Sequence, residues 1–280
     1  MLLAMERILI TGGAGKVATL LRTGMRRPDR VLRLLDIRPP APLPDDGGGA
    51  REEVVIGSLT DPHVLADALR GVDAVVHLGG QSRESDVRDV LESNMFGTYQ
   101  LLEAARAAGV NRLVLASSNH AAGFQDRGQT GADGLLPADL PGRPDTLYGW
   151  SKVAMESCGQ LYADRFGMDV VCLRIGLWFP KPPGLRGLAL WLSPDDGVRL
   201  VEACLTVPSP GFRIVWGISR NTRRWWSLAE GEALGYHPVD DAEVFAQELI
   251  AQHGEPDFDK DPVLTRVGGQ WCEIPLGVAY

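Results

Sequence analysis

The sequence predicts an α/β fold: a doubly wound parallel sheet with a small C-terminal substrate lobe. Three observations predict it. Short apolar runs alternate with helix-length amphipathic stretches through the first two thirds of the chain. Those runs are continuous, as in strands buried on both faces, and not alternating, as in strands with one wet face. The first run ends in "TGGAGKVA", a glycine turn entering a helix, which is how such sheets make their first crossover.

Element by element, residues 7–11 form a short apolar strand and residues 15–25 a helix. Strands follow at 31–36 and 54–57. Asp61 and Pro62 open the next helix as N-cap and first helical residue. Residues 74–78, "AVVHL", are a fourth strand, and a long helix runs over 86–108 to Gly109 as its C-cap. A strand at 113–116, a helix over 148–166 ending at Gly167, and a strand at 170–174 complete the alternation. Beyond Arg174 the pattern loosens. Pro180, Pro182, Pro183 and Gly184 mark a loop, followed by a helix at 195–205, a strand at 212–216 and a helix at 241–251. This predicts a nucleotide-binding domain over 1–175 and a small lobe over 176–280, seated on the carboxyl edge of the sheet. Residues 39–51, "PPAPLPDDGGGAR", read as a surface loop.

The composition narrows the function. Of 280 residues, 45% are hydrophobic and 23% charged, an ordinary globular balance. A net charge of -8 and a pI near 5.2 argue against nucleic acid or an anionic membrane as partner. No apolar run approaches the ~20 residues of a membrane span. The opening "MLLAMERILI" has no basic segment before its apolar residues, so no signal peptide is expected, and Met5 is an alternative initiator. Cys158, Cys172, Cys204 and Cys272 make no CxxC pair and read as reduced thiols of a cytoplasmic protein. His63, His77, His120, His237 and His253 lack metal-ligand spacing, so no metal is expected.

The chemistry begins at the glycine turn. Gly12, Gly15 and Ala18 stand at three-residue spacing after a strand. The first allows the tight turn, the second lets the backbone approach a pyrophosphate, and the third position must be small for the helix to lie on the strand. The phosphates then meet the N–H groups of the helix N-terminus, here at Lys16 and Val17. Lys16 does not make this a P-loop, because Val17 stands where Ser or Thr is required. Asp36 ends the second strand, where a carboxylate binds the adenosine ribose and repels a 2′-phosphate. This Rossmann arrangement favours NAD over NADP, with Arg38 nearby as the complication.

"LYGWSK" places Tyr148 and Lys152 one helical turn apart on one face. A phenol of pKa ~10 is a poor base at neutral pH. An ammonium ~4 Å away contributes about 4 kcal/mol at an effective dielectric of ~20, or roughly three pKa units. "LVLASSNH" turns from a core strand into four hydrogen-bonding side chains without a Gly or Pro. Ligands of such sheets bind outside the carboxyl ends of the strands. There Ser118 can bond the reacting oxygen beside Tyr148, and Asn119 and His120 can reach a polar substrate.

Together these residues resemble the extended short-chain dehydrogenase/reductase family and, within it, the bacterial uronate dehydrogenases. The resemblance runs nearly end to end, through "TGGAG", "HLGGQS", "ASSNHAAG", "RPDTLYGWSK", "RIG", "WLSPDD", "VWGISRN", "WW" and "LGYHPVDDAE". It implies Ser118, Tyr148 and Lys152 as catalytic residues. It implies an NAD site built from Gly12, Gly15, Lys16, Val17, Asp36, Ile37, Ser58, Leu59, Leu78, Gly79, Gly80, Asn94, Tyr148, Lys152 and Ile175. It assigns Ser82, Ser118, Asn119, His120, Tyr148, Leu177 and Arg186 to a sugar acid. Three positions depart from the family pattern: Ala18 replaces a glycine, Ser58 an aspartate near the adenine, and Leu177 a serine that touches substrate. The implied reaction is oxidation of galacturonate or glucuronate at C1 by NAD, giving the aldaric acid lactone. A nucleotide-sugar epimerase or dehydratase is the alternative within the family, and a non-catalytic NAD-binding sensor the alternative outside it. The long helices at 86–108 and 148–166 could pair across a homo-oligomer or stay solvated.

Overall fold

The computed structural model describes residues 5–44 and 51–280; residues 1–4, before the alternative initiator, and 45–50, in the 39–51 loop, lie outside the described residues. Seven strands form one sheet: β1 (Glu6–Thr11), β2 (Arg30–Asp36), β3 (Arg51–Ile56), β4 (Ala74–His77), β5 (Arg112–Ser118), β6 (Asp169–Ile175) and, from further on, Phe212–Gly217. Their spatial order is β3-β2-β1-β4-β5-β6 with Phe212–Gly217 outermost, and every neighbouring pair is parallel. The order reverses between β1 and β4, so the two loops leaving those strands diverge and open a crevice.

The continuous apolar strands have their explanation in two cores. Ile8 and Ile10 of β1 face one side with Leu32, Leu34, Val76 and Val114; Leu9 faces the other with Leu35, Val75, Leu113 and Leu115. Each residue type is buried whichever way it points, so no polar alternation survives. The first face is covered by α1 (Lys16–Met25), the second by α2 (Pro62–Ala68). Asp61 caps α2 as its sequence predicts, its carboxylate accepting from the N–H groups of His63 and Val64.

Two elements differ from expectation. The helix predicted over 86–108 is three pieces: α3 (Val87–Val90), a π-helical turn (Leu91–Phe96) and α4 (Gly97–Ala107). The wide turn presents Asn94 inward, and its side chain holds the loop after β4 by accepting from the N–H of Gln81. The other difference concerns the C-terminal third. After α5 (Leu147–Phe166) and β6 come a two-stranded ribbon, β7 (Leu177–Trp178) with β8 (Trp191–Leu192), the short α6 (Gly187–Leu190) and α7 (Pro194–Thr206). The strand expected in the small lobe at 212–216 is instead β9 (Phe212–Gly217), which pairs with β6 and extends the main sheet. Helix α7 packs beside α1 on the same face. Sequence periodicity could not reveal this, because an apolar edge strand looks alike in either sheet. The remaining chain forms α8 (Ala229–Glu232), α9 (Ala246–His253) and α10 (Pro262–Thr265), and a last segment that returns across the carboxyl edge.

Beneath that edge lies a buried ion pair. Arg174 donates through Nε and Nη2 to both Glu156 oxygens at 2.9 and 2.8 Å, and through Nη1 to the carbonyls of Ala138 and Leu140. Ser117 donates to Glu156 at 2.6 Å. With every acceptor met, the pair ties β5, α5 and β6 together under the site without leaving an unpaired charge.

Candidate functional site

The glycine turn closes against the loop after β4. Gly12 sits at φ +69°, and a Cβ there would stand 2.8 Å from the backbone of Leu78 and Gly79. Only glycine fits both constraints. Gly15 precedes α1 and offers no side-chain cap, so the N–H groups at the start of the helix, at Lys16 and Val17, are not taken by a capping group. Ala18 is completely buried, which meets the need for a small residue at the third position. Asp36 accepts from the N–H of Ala14 at 3.0 Å and of Arg38 at 3.1 Å, so it braces the turn with its carboxylate at the crevice mouth. Ile37, beside it, is 69% exposed. Ser58 shares a 2.8 Å hydrogen bond with Thr60, and Leu59 packs against Gly79 and Gly97.

A buried relay joins this half to the half that holds Tyr148 and Lys152. The N–H of Gly79 donates to Thr11 Oγ1 at 3.1 Å, and Thr11 Oγ1 lies 2.7 Å from His77 Nδ1. His77 Nε2 lies 3.1 Å from Thr98 Oγ1, which donates to the Asn94 carbonyl. Since the Thr98 proton is committed, His77 must donate from Nε2 and accept at Nδ1. Burial, helped by the Lys152 charge, pushes His77 down to about 3, so it is neutral and holds that tautomer. Asn94 then spends its amide on Gln81 N–H at 2.7 Å, the Gln81 carbonyl at 3.0 Å and Ser151 Oγ at 2.9 Å. Ser151 donates to the Tyr148 carbonyl at 2.6 Å. Asn94 therefore supports the site, and Gly80 lies against its amide.

Ser117 and Ser118 end β5 and point to opposite sides by strand alternation, while Asn119 and His120 open a 3-10 turn (Asn119–Ala122). Ser117 points below, to Glu156. Ser118 Oγ accepts from the N–H of His120 at 3.2 Å and donates to Asn119 Oδ1 at 3.4 Å, and it lies close enough to the Tyr148 phenol to lower its pKa. Asn119 Nδ2 donates to the Val267 carbonyl at 3.0 Å. His120 Nδ1 lies 2.6 Å from Asp145 Oδ2. Ile175, level with Ser118 on β6, closes the floor.

Tyr148 and Lys152 share the first turns of α5, but their relation differs from the expected one. The Lys152 ammonium donates to the Ala116 carbonyl at 2.8 Å and lies 5.4 Å from the centre of the Tyr148 ring, over its face. Among the described residues it makes no hydrogen bond to the phenol oxygen. Burial pushes Tyr148 up to about 12, with the Ser118 hydrogen bond pulling down and Asp145 pushing further up. The shift of three units towards 7 is thus absent; desolvation outweighs the partner. Burial likewise pushes Lys152 down to about 8, against the pull of Cys172 and Glu156.

Arg186 arrives from the loop before α6. It donates to the same Val267 carbonyl as Asn119, and its buried Nε has no partner among the described residues. Burial lowers it to about 10, with Asp145 opposing, so it remains a cation at neutral pH. Ser82 is exposed in the loop after Gly80, and Leu177 is partly buried in β7 against the core.

Four groups at this site go beyond those the sequence singles out. Asp145 partners His120. Glu84 is buried and accepts from the N–H of Tyr148 at 2.8 Å and of Gly277 at 2.7 Å. Trp271 stacks on His120 with ring centres 4.1 Å apart, and the Val267 carbonyl takes two of the site's donors. Only Asp145 carries a local signal, an acid just before the Thr146 helix cap.

Comparison with known proteins gives the family. Residues 8–183 match the NAD dependent epimerase/dehydratase family. A uronate dehydrogenase of Pseudomonas putida is 41% identical over 267 residues, covering 95% of this chain and 96% of that protein. The chain belongs to this family, on its uronate dehydrogenase branch. The crystal structure of a uronate dehydrogenase from Agrobacterium tumefaciens, 37% identical, superposes with a TM-score of 0.88 over 99% of this chain and 100% of that one. A tyrosine-to-alanine variant of the A. tumefaciens enzyme, complexed with NAD, superposes at 0.87 over 97% of this chain and 98% of that one, again at 37% identity. The family match spans the dinucleotide crevice in the first two thirds of the chain; the C-terminal third supplies Arg186, Val267 and Trp271.

Proposed function

We propose that this protein oxidises a hexuronic acid, galacturonate or glucuronate, at C1 to the aldaric acid lactone, with NAD as acceptor. The observation that carries the reading is Arg186. A partly buried cation with an unpartnered Nε shares a carbonyl with Asn119, and that residue follows Ser118 in the chain. A guanidinium so placed suits a carboxylate. A nucleotide sugar offers its charge on a diphosphate instead, and a sensor needs no base beside a polar strand end.

The crevice fits the cofactor: the start of α1 has N–H groups that no side chain caps, and the turn leading to it carries glycine at 12, 13 and 15, so no side chain stands over them there. Asp36 would hold the adenosine ribose, with Ile37, Ser58 and Leu59 along the adenine side, and Leu78, Gly79, Gly80 and Ile175 lining the path to the site. When bound, NAD supplies the hydride acceptor and a positive charge. Tyr148 is the general base for the C1 hydroxyl, Ser118 orients that hydroxyl, and Lys152 braces the ring of Tyr148 from its face. Asn119, His120, Ser82 and Arg186 would receive the sugar acid, and Leu177 would replace a polar contact by an apolar one. The four free thiols suit a cytoplasmic enzyme.

Mixing the protein with NAD and either uronate should raise absorbance at the NADH band, while galactose, glucose and nucleotide sugars should not. Absence of turnover with both uronates would remove the reading.

Two further results are expected. NAD should be preferred over NADP by at least about fivefold in kcat/KM, because a 2′-phosphate beside the Asp36 carboxylate costs about 1 kcal/mol even in water and several times that in a partly buried site. Equal values would show that Arg38 governs recognition. The rate should also rise with pH from about 6 to about 8, by up to about tenfold per unit. The sign follows from the base: burial holds the Tyr148 proton on, so raising the pH creates the active form. A rate that falls over this range would take the base role from Tyr148.

A further inference from the structure

We infer that Asp145 is a positioning residue that locks His120 in one tautomer, Nδ1 protonated and Nε2 bare, so that the site demands a hydroxyl donor from the sugar ring at that point. The inference rests on the uronate reading for the identity of the sugar, but the tautomer itself does not.

The carboxylate of Asp145 is wholly buried and its placement is over-determined. Oδ2 meets His120 Nδ1 at 2.6 Å and Oδ1 accepts from Thr146 Oγ1 at 3.0 Å. With its hydroxyl proton committed to Asp145, Thr146 Oγ1 in turn accepts from the N–H of Gly149. Two glycines from distant segments, Gly123 after β5 and Gly268 in the last segment, make room for the same carboxylate: a Cβ at either would collide with Oδ2. The N–H of Gly268 donates to the Gly123 carbonyl at 2.8 Å, closing the cradle.

An ionised carboxylate only accepts. His120 Nδ1 must therefore donate. The charged groups facing His120 are Asp145, Glu84 and Arg186; burial is the largest influence and favours the neutral ring. With the proton on Nδ1, Nε2 is an acceptor. It has no protein partner among the described residues and is not a buried orphan, so it opens to the cleft. Trp271 stacks on the ring at 4.1 Å and Tyr148 stands edge-on at 5.9 Å, so the ring is packed on two sides in this orientation. Ser118 and Tyr148 serve the reacting hydroxyl, and His120 Nε2 is left for a different one. An acceptor with no donor opposite it is costly to desolvate, so a sugar lacking that hydroxyl is rejected.

The test has two arms. In the unliganded protein, long-range ¹⁵N–¹H spectra should show His120, assigned by its loss in His120→Gln, with protonated Nδ1. A protonated Nε2 would overturn the lock irrespective of any substrate. The second arm is Asp145→Asn with 2-, 3- and 4-deoxy uronates. Thr146 keeps the amide oxygen, so the amide NH₂ faces Nδ1 and drives the proton to Nε2. The wild type should lose at least about tenfold in kcat/KM with one of the deoxy analogues. The variant should be slower on the uronate by a similar factor or more, and should not distinguish that analogue. Charge alone predicts the reverse, because Asp145 opposes ionisation of Tyr148 and offsets Arg186. A variant as fast as or faster than the wild type, or a wild type indifferent to all three analogues, overturns the proposal. An unchanged melting temperature and NAD affinity separate the effect from misfolding. Failure of every sugar acid in the wild type would instead strike the uronate reading and leave the spectrum to decide the tautomer.

Discussion

Tyr148→Phe should lose at least about 100-fold in kcat while NAD affinity stays within about twofold, because general bases contribute typically ~100-fold or more. Phenylalanine keeps the ring that Lys152 covers and that stands against His120 and Trp271. It removes only the oxygen that Ser118 meets. The backbone ties of this residue also survive: its N–H to Glu84 and its carbonyl to Ser151. The substitution is therefore a clean deletion of one functional atom. Steady-state rates with an NAD titration check it. Retention of more than about a tenth of the activity would exclude the phenol as base. Lys152 is the natural rival, being lowered to about 8 by burial, but its ammonium is committed to the Ala116 carbonyl.

Arg186→Ala should raise KM for the uronate sharply, with a loss of about 2–5 kcal/mol in kcat/KM, the range for removing one partner of a buried charge pair. Among the described residues the guanidinium makes one hydrogen bond, to Val267, and its Nε makes none. Little of the fold depends on it, so the melting temperature should hold. Lys152, another cation at the polar end of β5, is turned to the Ala116 carbonyl. Leu177 offers no hydroxyl to share the load. Substrate-saturation curves for the uronate and the matching neutral sugar give the answer. An intact kcat/KM, or a wild type that oxidises galactose as well as galacturonate, would defeat the assignment of a uronic acid.

Much of this site is legible in the sequence because its parts are local. A glycine turn is a run of adjacent residues whose backbone needs are set by steric limits within that run, and Gly12 at φ +69° meets them. Tyr148 and Lys152 share a helix face by the period of the helix alone. The polar end of β5 declares itself because a buried strand has no use for four hydrogen-bonding side chains unless something meets them. Asp145, Glu84 and Trp271 are harder to read. Apart from the place of Asp145 just before a helix cap, their own neighbourhoods say little, and each acquires its role from a partner far along the chain: Asp145 from His120, Glu84 from Tyr148 and Gly277, Trp271 from His120.

The sequence by itself determined the doubly wound sheet, the dinucleotide turn and the candidate catalytic side chains, since these follow from periodicity, backbone sterics and residue chemistry over short spans. Only the tertiary structure decided three things. It put β9 in the main sheet beside β6, a pairing across residues 176–211 that no local pattern encodes. It broke the long helix at a π turn so that Asn94 could hold the loop after β4. And it set the protonation of the site. The distance along a helix gives the proximity of Lys152 to Tyr148, but burial and direction decide the electrostatics. Here the ammonium faces a carbonyl, and burial pushes the phenol up instead of down.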